Sequence, residues 1–267
     1  MSTSYTSILT IAGSDSGGGA GIQADIKSIS ANGGYAASVI TATTAQNTQG
    51  VTDIHAIPVP HIVMQMKAVF DDISFSAVKI GMLHSAEVIK TVQNTLELYK
   101  IKTIILDPVM VATSGDKLLN DDAVQSLKEF LPKVTLITPN IPEAQLLIGH
   151  DIDLENLESS AKELAQFYKT SVLLKGGHLK LSDTMTDILY NYESQKVTVI
   201  KNKYVVTKNT HGTGCSLSSA VATFIGLGFS LEAACIKGCE YLNKAIKTGK
   251  DKVLGHGHGP VNHFYRN

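Results

Sequence analysis

Short apolar runs alternate along the chain with longer stretches in which apolar residues recur every three or four positions. The short runs are typical of β-strands buried on both faces, because several are almost continuously apolar and most are bracketed by Gly, Pro, Asn or Asp. We predict strands over residues 8–12, 38–42, 77–80, 103–106, 134–137 and 171–174. Helical spacing predicts helices over residues 155–168 and 230–247. This order predicts an α/β fold with a mostly parallel central sheet and helices on both faces.

The pattern changes in the last third of the chain. Residues 185–191 and 196–206 are predicted to be adjacent strands joined by a turn at 192–195. Helices are expected from Thr213 onward, and the first of them extends from Cys215 to about Ile225. The sequence shows no internal repeat, low-complexity segment or linker, so we expect residues 1–267 to form a single domain.

Composition narrows the range of functions. With 43% hydrophobic and 18% charged residues, the 267-residue chain can build a large core. A formal net charge of -1 provides no basic surface for a nucleic-acid backbone, and no apolar run reaches the roughly 20 residues of a membrane helix. We therefore expect a cytoplasmic protein without nucleic-acid or membrane partners. Cys235 and Cys239 lie four residues apart in a helical pattern and are expected to be buried apolar residues.

A glycine-rich segment, residues 13–21, follows the first predicted strand. Such a loop lets the backbone approach a ligand closely at low steric cost. It lacks the register of a dinucleotide fingerprint and the Gly-Lys-Ser/Thr ending of a P-loop, so a flexible turn is the alternative. Asp25 follows one turn beyond Gly21, where an isolated aspartate is usually solvated or favoured by the helix dipole.

Three further polar segments follow predicted strands, at the edge where open parallel sheets bind ligands. Asp107 is placed for a metal or a phosphate-linked water, and a turn aspartate before Pro108 is the alternative. Asn140 and Glu143 offer hard oxygen donors for Mg²⁺, but they also match a helix N-cap with a first-turn glutamate. Lys175, followed by two glycines, either reaches phosphate oxygens or is a solvated strand-end lysine.

Residues 209–219 form the most informative segment, Asn-Thr-His-Gly-Thr-Gly-Cys-Ser-Leu-Ser-Ser. Gly212 and Gly214 bracket Thr213, and Cys215 opens the predicted helix. Backbone N–H groups at a helix start form an anion site, which in phosphoryl transfer stabilises charge on the transferred group. The same helix end is expected to lower the pKa of Cys215 and to favour a thiolate that accepts a hydroxyl proton. A buried structural cysteine is the alternative.

Seven segments together resemble a known family in their order and spacing. In chain order they are TIAGSDSGGGAGIQADIK, ITATTAQNTQGV, KIGMLHS, LDPVMVATSGDKLL, TPNIPEA, LLKGGH and NTHGTGCSLSSA. On these segments, which extend over nearly the whole chain, the protein resembles the ribokinase-like superfamily. Within it, the chain is similar to the hydroxymethylpyrimidine kinase / hydroxymethylpyrimidine phosphate kinase family of thiamine biosynthesis.

The resemblance implies a reaction and a set of site residues. A homodimer would transfer phosphate from ATP, with Mg²⁺ as cofactor, to 4-amino-5-hydroxymethyl-2-methylpyrimidine and then to its monophosphate. The catalytic residues implied are Cys215 as base, with Gly212, Thr213 and Gly214 as its anion hole. The substrate residues implied are Gln46, which hydrogen-bonds the pyrimidine, and Gly13, Asp25 and Met82. The phosphate-side residues implied are Asp107 and Glu143 for the metal and Asn140 and Lys175 for ATP.

Alternatives remain within the superfamily and outside it. Pyridoxal or pyridoxine kinase, alone or as a dual activity, is one, because both substrates present a ring hydroxymethyl group. Gln46 and the Gly-Thr-Gly-Cys sequence favour the pyrimidine. A non-catalytic sensor and a thiol redox protein centred on Cys215 are alternatives from other classes. Sugar kinases of the superfamily carry an aspartate base in place of Cys215. Because the two groups differ in intrinsic base strength, removal of the substrate's hydroxyl proton is expected to matter less here.

Two glycine-containing segments are candidate lids over the site, residues 17–21 and 113–117.

Overall fold

The computed structural model describes residues 4–110, 119–153, 155–177 and 183–266. The strands in these ranges are β1 (Ser7–Asp15), β2 (Tyr35–Asn47), β3 (Gly50–Ala56), β4 (Ala77–Ile80), β5 (Ile104–Leu106), β6 (Leu136–Ile137), β7 (Ser171–Leu174), β8 (Thr184–Asn191) and β9 (Lys196–Lys203). They form one sheet in the order β3-β2-β1-β4-β5-β6-β7-β8-β9. The six strands from β2 to β7 in this order pair in parallel, which confirms the predicted sheet.

The described ranges also contain eight α-helices. They are α1 (Gly21–Ala31), α2 (Val59–Phe70), α3 (Ala86–Leu98), α4 (Asp121–Phe130), α5 (Ile141–Ile148), α6 (Leu157–Tyr168), α7 (Thr213–Gly226) and α8 (Leu231–Gly249). A 3₁₀ turn, Leu131–Lys133, follows α4. Among these helices none combines the length and apolarity that crossing a membrane requires.

Helices cover both faces of the sheet, as the continuous apolarity of the strands predicts. Alternate strand residues point to opposite sides. Leu106 and Leu174 therefore belong to a core shared with α2 to α6, whereas Ile105 and Leu173 belong to a second core shared with α1, α7 and α8. The predicted burial of Cys235 and Cys239 is confirmed, since both lie in this second core.

Both ends of the sheet are antiparallel. At one end β3 pairs with β2, and at the other β8 pairs with β7 and β9, which confirms the predicted adjacent strands at residues 185–191 and 196–206. The hairpin of β2 and β3 is longer than the strand predicted at 38–42, because its outer half is largely exposed and polar and has no apolar run to mark it. The second strand of the β8–β9 hairpin ends at Lys203, three residues before the predicted end.

The candidate lid at residues 113–117 lies outside the described residues.

Candidate active site

A cavity of about 570 Å³ opens beyond the carboxyl ends of the parallel strands. In an open α/β sheet this edge is where ligands bind, because loops and helix N-termini converge there. The cavity brings together most of the residues singled out from the sequence. They are Gly13, Gln46, Met82, Asp107, Asn140, Glu143, Lys175, Gly212, Thr213, Gly214 and Cys215.

The glycine-rich loop is folded around a carboxylate of the protein itself. Asp15, the last residue of β1, accepts N–H groups from Gly17 at 2.8 Å and from Gly19 and Ala20 at 2.9 Å. Burial would raise the pKa of Asp15, but His211 and these backbone donors outweigh it and lower the pKa. The loop therefore does not offer these N–H groups to a phosphate, as a P-loop would.

A β-bulge places Gln46 at the cavity. The register of β2 against β3 shifts between Ala45 and Gln46, and such a bulge redirects a side chain at a strand end. The Gln46 backbone is held by Ser16, whose hydroxyl exchanges hydrogen bonds of 2.8 Å with the Gln46 carbonyl and N–H. The Gln46 side chain is thus carried on a defined backbone rather than on a loose loop.

Asp107 and Lys175, which both line the cavity, form an ion pair. The Lys175 ammonium lies 2.9 Å from Asp107 Oδ1, and Thr138 Oγ1 donates to the same oxygen at 3.0 Å. Lys175 stands beside the end of β6 because its N–H donates to the Pro139 carbonyl at 2.9 Å. Burial would lower the pKa of Lys175, but the carboxylates of Asp107 and Glu143 raise it, so the lysine remains a cation. A fixed cation at this depth is suited to phosphate oxygens.

Asn140 and Glu143 form a capping box at the start of α5. Glu143 donates its N–H to Asn140 Oδ1, and Asn140 donates its N–H to Glu143 Oε2, both at 2.8 Å. The structural alternative recognised in the sequence is therefore realised. Both side chains still line the cavity, and burial raises the pKa of Glu143 to about 7 against the opposing attraction of Lys175.

The start of α7 faces the ion pair of Asp107 and Lys175. Gly212 has φ of 77°, a left-handed conformation that favours glycine, and a Cβ there would overlap the Gly19 carbonyl. A Cβ on Gly214 would lie 2.9 Å from Asp107 Oδ2 and 3.4 Å from Lys175 Nζ. The first intrahelical bond joins the Ser216 N–H to the Gly212 carbonyl. The Thr213 N–H donates to the Thr210 carbonyl at 3.3 Å, so the helix start offers an anion the N–H groups of Gly214 and Cys215, both of which line the cavity.

The predicted lowering of the Cys215 pKa is wrong. Burial raises the pKa of this thiol to about 11, and it outweighs the opposing effects of the Lys79 ammonium and the Gly21 N–H. The carboxylates of Asp25 and Asp107 raise the pKa further. The helix N-terminus is therefore not enough to make Cys215 a thiolate at neutral pH in the ligand-free protein.

Asp25 does not line the cavity, which corrects its predicted place among the substrate residues. Its carboxylate is fully buried, with both oxygens 2.8 Å from the Lys79 ammonium. Thr10 Oγ1 donates to it at 2.6 Å and Ser219 Oγ at 2.8 Å. Asp25 thus ties α1 to β1, β4 and α7 behind the cavity, because a buried charge requires partners on every side.

Sequence reasoning missed two residues that line the cavity, Asp15 and His211. His211 Nε2 lies 3.0 Å from Asp15 Oδ2 and 3.3 Å from Gln46 Nε2. His211 stands inside the segment 209–219, but no local pattern marks it, because its contacts are with residues far away in the sequence. Asp15 could have been found as a polar residue at the very end of a buried strand, like Asp107 and Lys175.

The carboxylates of Asp107 and Glu143 suit a Mg²⁺ ion that keeps its waters better than one that they bind directly. Lys175 Nζ lies 2.9 Å from Asp107 and 3.9 Å from Glu143, so a cation already stands between the two carboxylates. Among the described residues no group of three or more His, Cys, Asp or Glu is arranged for a metal. A magnesium ion that keeps its waters and is bound mainly by phosphate oxygens fits this donor set.

Comparison with known proteins places these features in a family. The family model for phosphomethylpyrimidine kinase matches residues 15–262. The chain is 44% identical over 261 residues to the hydroxymethylpyrimidine/phosphomethylpyrimidine kinase of Rhizobium meliloti, with 97% of each chain covered. It is 47% identical over 97% of its length to a thiamine biosynthesis bifunctional protein of Geobacter sulfurreducens, and it spans 52% of that relative. A pyridoxal kinase from Staphylococcus aureus, solved with AMP-PCP and pyridoxal, superposes with a TM-score of 0.87 at 27% identity, covering 99% of this chain and 96% of that one.

Proposed function

The chain belongs to the phosphomethylpyrimidine kinase family, and we propose that it phosphorylates 4-amino-5-hydroxymethyl-2-methylpyrimidine with ATP and then phosphorylates the monophosphate. The acceptor is the ring hydroxymethyl group in the first step and the phosphate that it carries in the second. Both steps transfer a phosphoryl group to an oxygen at the same point of the cavity. We propose that residues 1–267 form a single kinase domain.

The observation that supports the proposal most is the approach of the α7 start to the ion pair of Asp107 and Lys175. Gly214 lies so close to both side chains that a Cβ would contact them. A phosphoryl group in this space would meet backbone N–H groups on one side and the Lys175 ammonium on the other. Charge that develops on its oxygens is thereby stabilised without rearrangement of the protein.

The residues around this space would bind the phosphates, the pyrimidine ring and the metal. Lys175 binds phosphate oxygens as a fixed cation, and Gln46 hydrogen-bonds the ring at the other end of the cavity. Glu143 faces the phosphate side, where together with Asp107 it would hold Mg²⁺ through its waters, and Asn140 faces the ATP phosphates. When bound, that ion supplies positive charge to the phosphate oxygens.

Cys215 is placed to accept the hydroxyl proton, but burial limits how much of it is thiolate. A loose, metaphosphate-like transition state asks little of a base, so the anion site carries the larger part of catalysis. Cys215→Ala should therefore lower turnover less than a substitution that blocks the helix start.

The proposal is tested by ADP release from Mg-ATP with the hydroxymethylpyrimidine, using Gly214→Ala as the matched variant. We expect turnover by the wild type and a loss of about 100-fold or more in the variant, because its methyl group intrudes on Asp107. Unimpaired turnover by Gly214→Ala would remove the anion site from the mechanism. A wild type that releases no ADP with this substrate would overturn the proposed function itself.

Pyridoxal kinase activity is the second candidate. It is supported by the superposition on the pyridoxal kinase from Staphylococcus aureus. Running the same assay with pyridoxal distinguishes the two candidates, since ADP release mainly with pyridoxal would favour this one.

We also propose a homodimer in the cytoplasm. Val51 and Ile54 line the cavity on the edge strand β3, and they are 40% and 44% exposed. Covering these side chains with a second copy would remove apolar surface from water. Light scattering coupled to size exclusion tests this, with a mass of one 28.5 kDa chain as the result that contradicts it.

A further inference from the structure

Three polar side chains from distant parts of the chain meet at the ring end of the cavity. Asp15 ends β1, Gln46 follows the bulge of β2, and His211 precedes α7. His211 Nε2 lies 3.0 Å from Asp15 Oδ2 and 3.3 Å from Gln46 Nε2. The ring of His211 is also confined sterically, because a Cβ on Gly19 would overlap its Cδ2 atom. These contacts leave the imidazole little freedom to turn.

The neighbours of Asp15 decide where the proton of His211 resides. The carboxylate already accepts three N–H groups, from Gly17, Gly19 and Ala20. A carboxylate so supplied with donors acts as an acceptor only. The nitrogen facing it at 3.0 Å must therefore carry a proton, whether the imidazole is neutral or charged.

This proton creates a conflict with the side-chain amide of Gln46. Gln46 Nε2, a donor, faces the protonated His211 Nε2 at 3.3 Å. On its other side, the Thr44 hydroxyl lies 3.0 Å from both the Ser14 carbonyl and Gln46 Oε1. One hydroxyl proton shared between two acceptors makes a weaker hydrogen bond to each of them.

Rotation of the Gln46 amide by half a turn removes the contact between two donors. Oε1 then shares the His211 N–H with Asp15 in a three-centre hydrogen bond, and Nε2 donates to the Thr44 hydroxyl, which is left to donate to the Ser14 carbonyl. Two independent contacts thus favour the same orientation, and oxygen and nitrogen exchange places without any movement of the backbone. One lone pair of Oε1 and one N–H of Nε2 remain for a ligand.

We propose that Asp15 and His211 are a positioning pair that fixes the amide orientation of Gln46, and that this orientation selects an aminopyrimidine edge over a pyridoxal edge. The inference rests on the proposed function. Beside its hydroxymethyl group the aminopyrimidine presents an amino donor and then a ring-nitrogen acceptor. Pyridoxal presents an aldehyde acceptor and then a hydroxyl. A Gln46 amide with a fixed orientation matches the donor-then-acceptor order of the aminopyrimidine. An amide that turns freely accommodates the groups of either substrate.

The test compares two substitutions of His211. The amide nitrogen of His211→Gln can reach the place of Nε2, whereas that of His211→Asn can reach only the place of Nδ1. For His211→Asn we expect kcat/KM with the hydroxymethylpyrimidine to fall about tenfold, mainly through KM, and kcat/KM with pyridoxal to stay level or rise, because the freed amide can turn toward the pyridoxal groups. His211→Gln should keep the wild-type ratio of the two values. His150→Asn, at an exposed histidine, is the control.

Equal losses for both substrates in His211→Asn would overturn the proposal, because they would indicate a structural role. ¹⁵N NMR of histidine-labelled wild type without substrate tests the pair separately, and the His211 signal is identified by its absence from either variant. We expect a proton on Nε2, and a ring protonated on Nδ1 alone would overturn the proposal even in an active enzyme. A wild type inactive on both substrates but protonated on Nε2 would contradict the proposed function and support the pair.

Discussion

Cys215 lies in the first turn of α7, yet its chemistry is governed by side chains from other elements. Burial, Asp25 and Asp107 raise the pKa of its thiol, and Lys79 on β4 only partly opposes them. Asp25 in turn is held by Lys79 and Ser219. The chemical state of one side chain at this site is thus a property of the whole cluster.

Cys215 should react slowly with alkylating agents at neutral pH. A pKa of about 11 against the ordinary value of 9.0 leaves about 100-fold less thiolate at pH 7. Iodoacetamide labelling followed by mass spectrometry should therefore be about 100-fold slower than for a peptide cysteine, and should accelerate as the pH rises toward 11. Cys215→Ala identifies the labelled site. Rapid labelling at pH 7 would show that the pKa is lowered and would restore the redox-sensor alternative.

Glu143 should make the folded protein less stable as the pH rises. Its pKa is about 7 in the folded protein against 4.5 ordinarily, so the folded state binds the proton more tightly. The resulting stability is present below pH 4.5 and is lost between 4.5 and about 7. Relative to wild type, Glu143→Gln should therefore gain about 1–3 kcal/mol in free energy of unfolding across this window. Urea titrations of both proteins at pH 5 and pH 8 measure the gain. A difference in free energy of unfolding between variant and wild type that is the same at both pH values would contradict it.

At the scale of elements, the cavity is built from strand ends and helix starts. The capping box of α5 shows that one pair of side chains both begins a helix and lines the cavity. Sequence patterns located most strand ends of the site, since the buried parallel strands are marked by apolar runs. They did not locate the bulge that directs Gln46 or the hairpin partner β3, because these depend on pairing between strands rather than on local composition.

Substitutions at Asn140 should separate its two roles. Asn140→Ala removes the acceptor for the Glu143 N–H and should cost about 1 kcal/mol of stability. Asn140→Asp keeps an acceptor and should change stability by less than about 0.5 kcal/mol, while it adds negative charge where ATP phosphates bind and so raises the KM for ATP. Thermal unfolding and ATP kinetics measure the two effects. An unchanged KM in both variants would remove Asn140 from the ATP site.

At the scale of the whole molecule, the order of strands and helices along the chain predicted the fold class. The polar residues at the carboxyl ends of the strands predicted where the site lies. The network of Asp15, His211 and Gln46 did not follow, because its members are separated by as many as 196 positions. Contacts at that separation arise from topology. The single domain expected from the sequence remains a proposal, and the sharing of β-strands between the two cores supports it.

A single domain should unfold in one transition. Leu106→Ala and Leu173→Ala open cavities in the two cores, on opposite faces of the sheet, and each should lower stability by about 2–5 kcal/mol. Because neighbouring strands connect the cores, both substitutions should shift the same calorimetric peak. Two peaks, each shifted by one substitution alone, would show two independent units.

The central claim, that one site phosphorylates the hydroxymethylpyrimidine twice, is tested most directly by ³¹P NMR of a single reaction with Mg-ATP. We predict a monophosphate ester signal that appears first and is then replaced by the paired signals of a diphosphate ester, with both appearing about 100-fold more slowly in Gly214→Ala. No phosphorylated pyrimidine, or a monophosphate that persists in excess Mg-ATP, would contradict the claim.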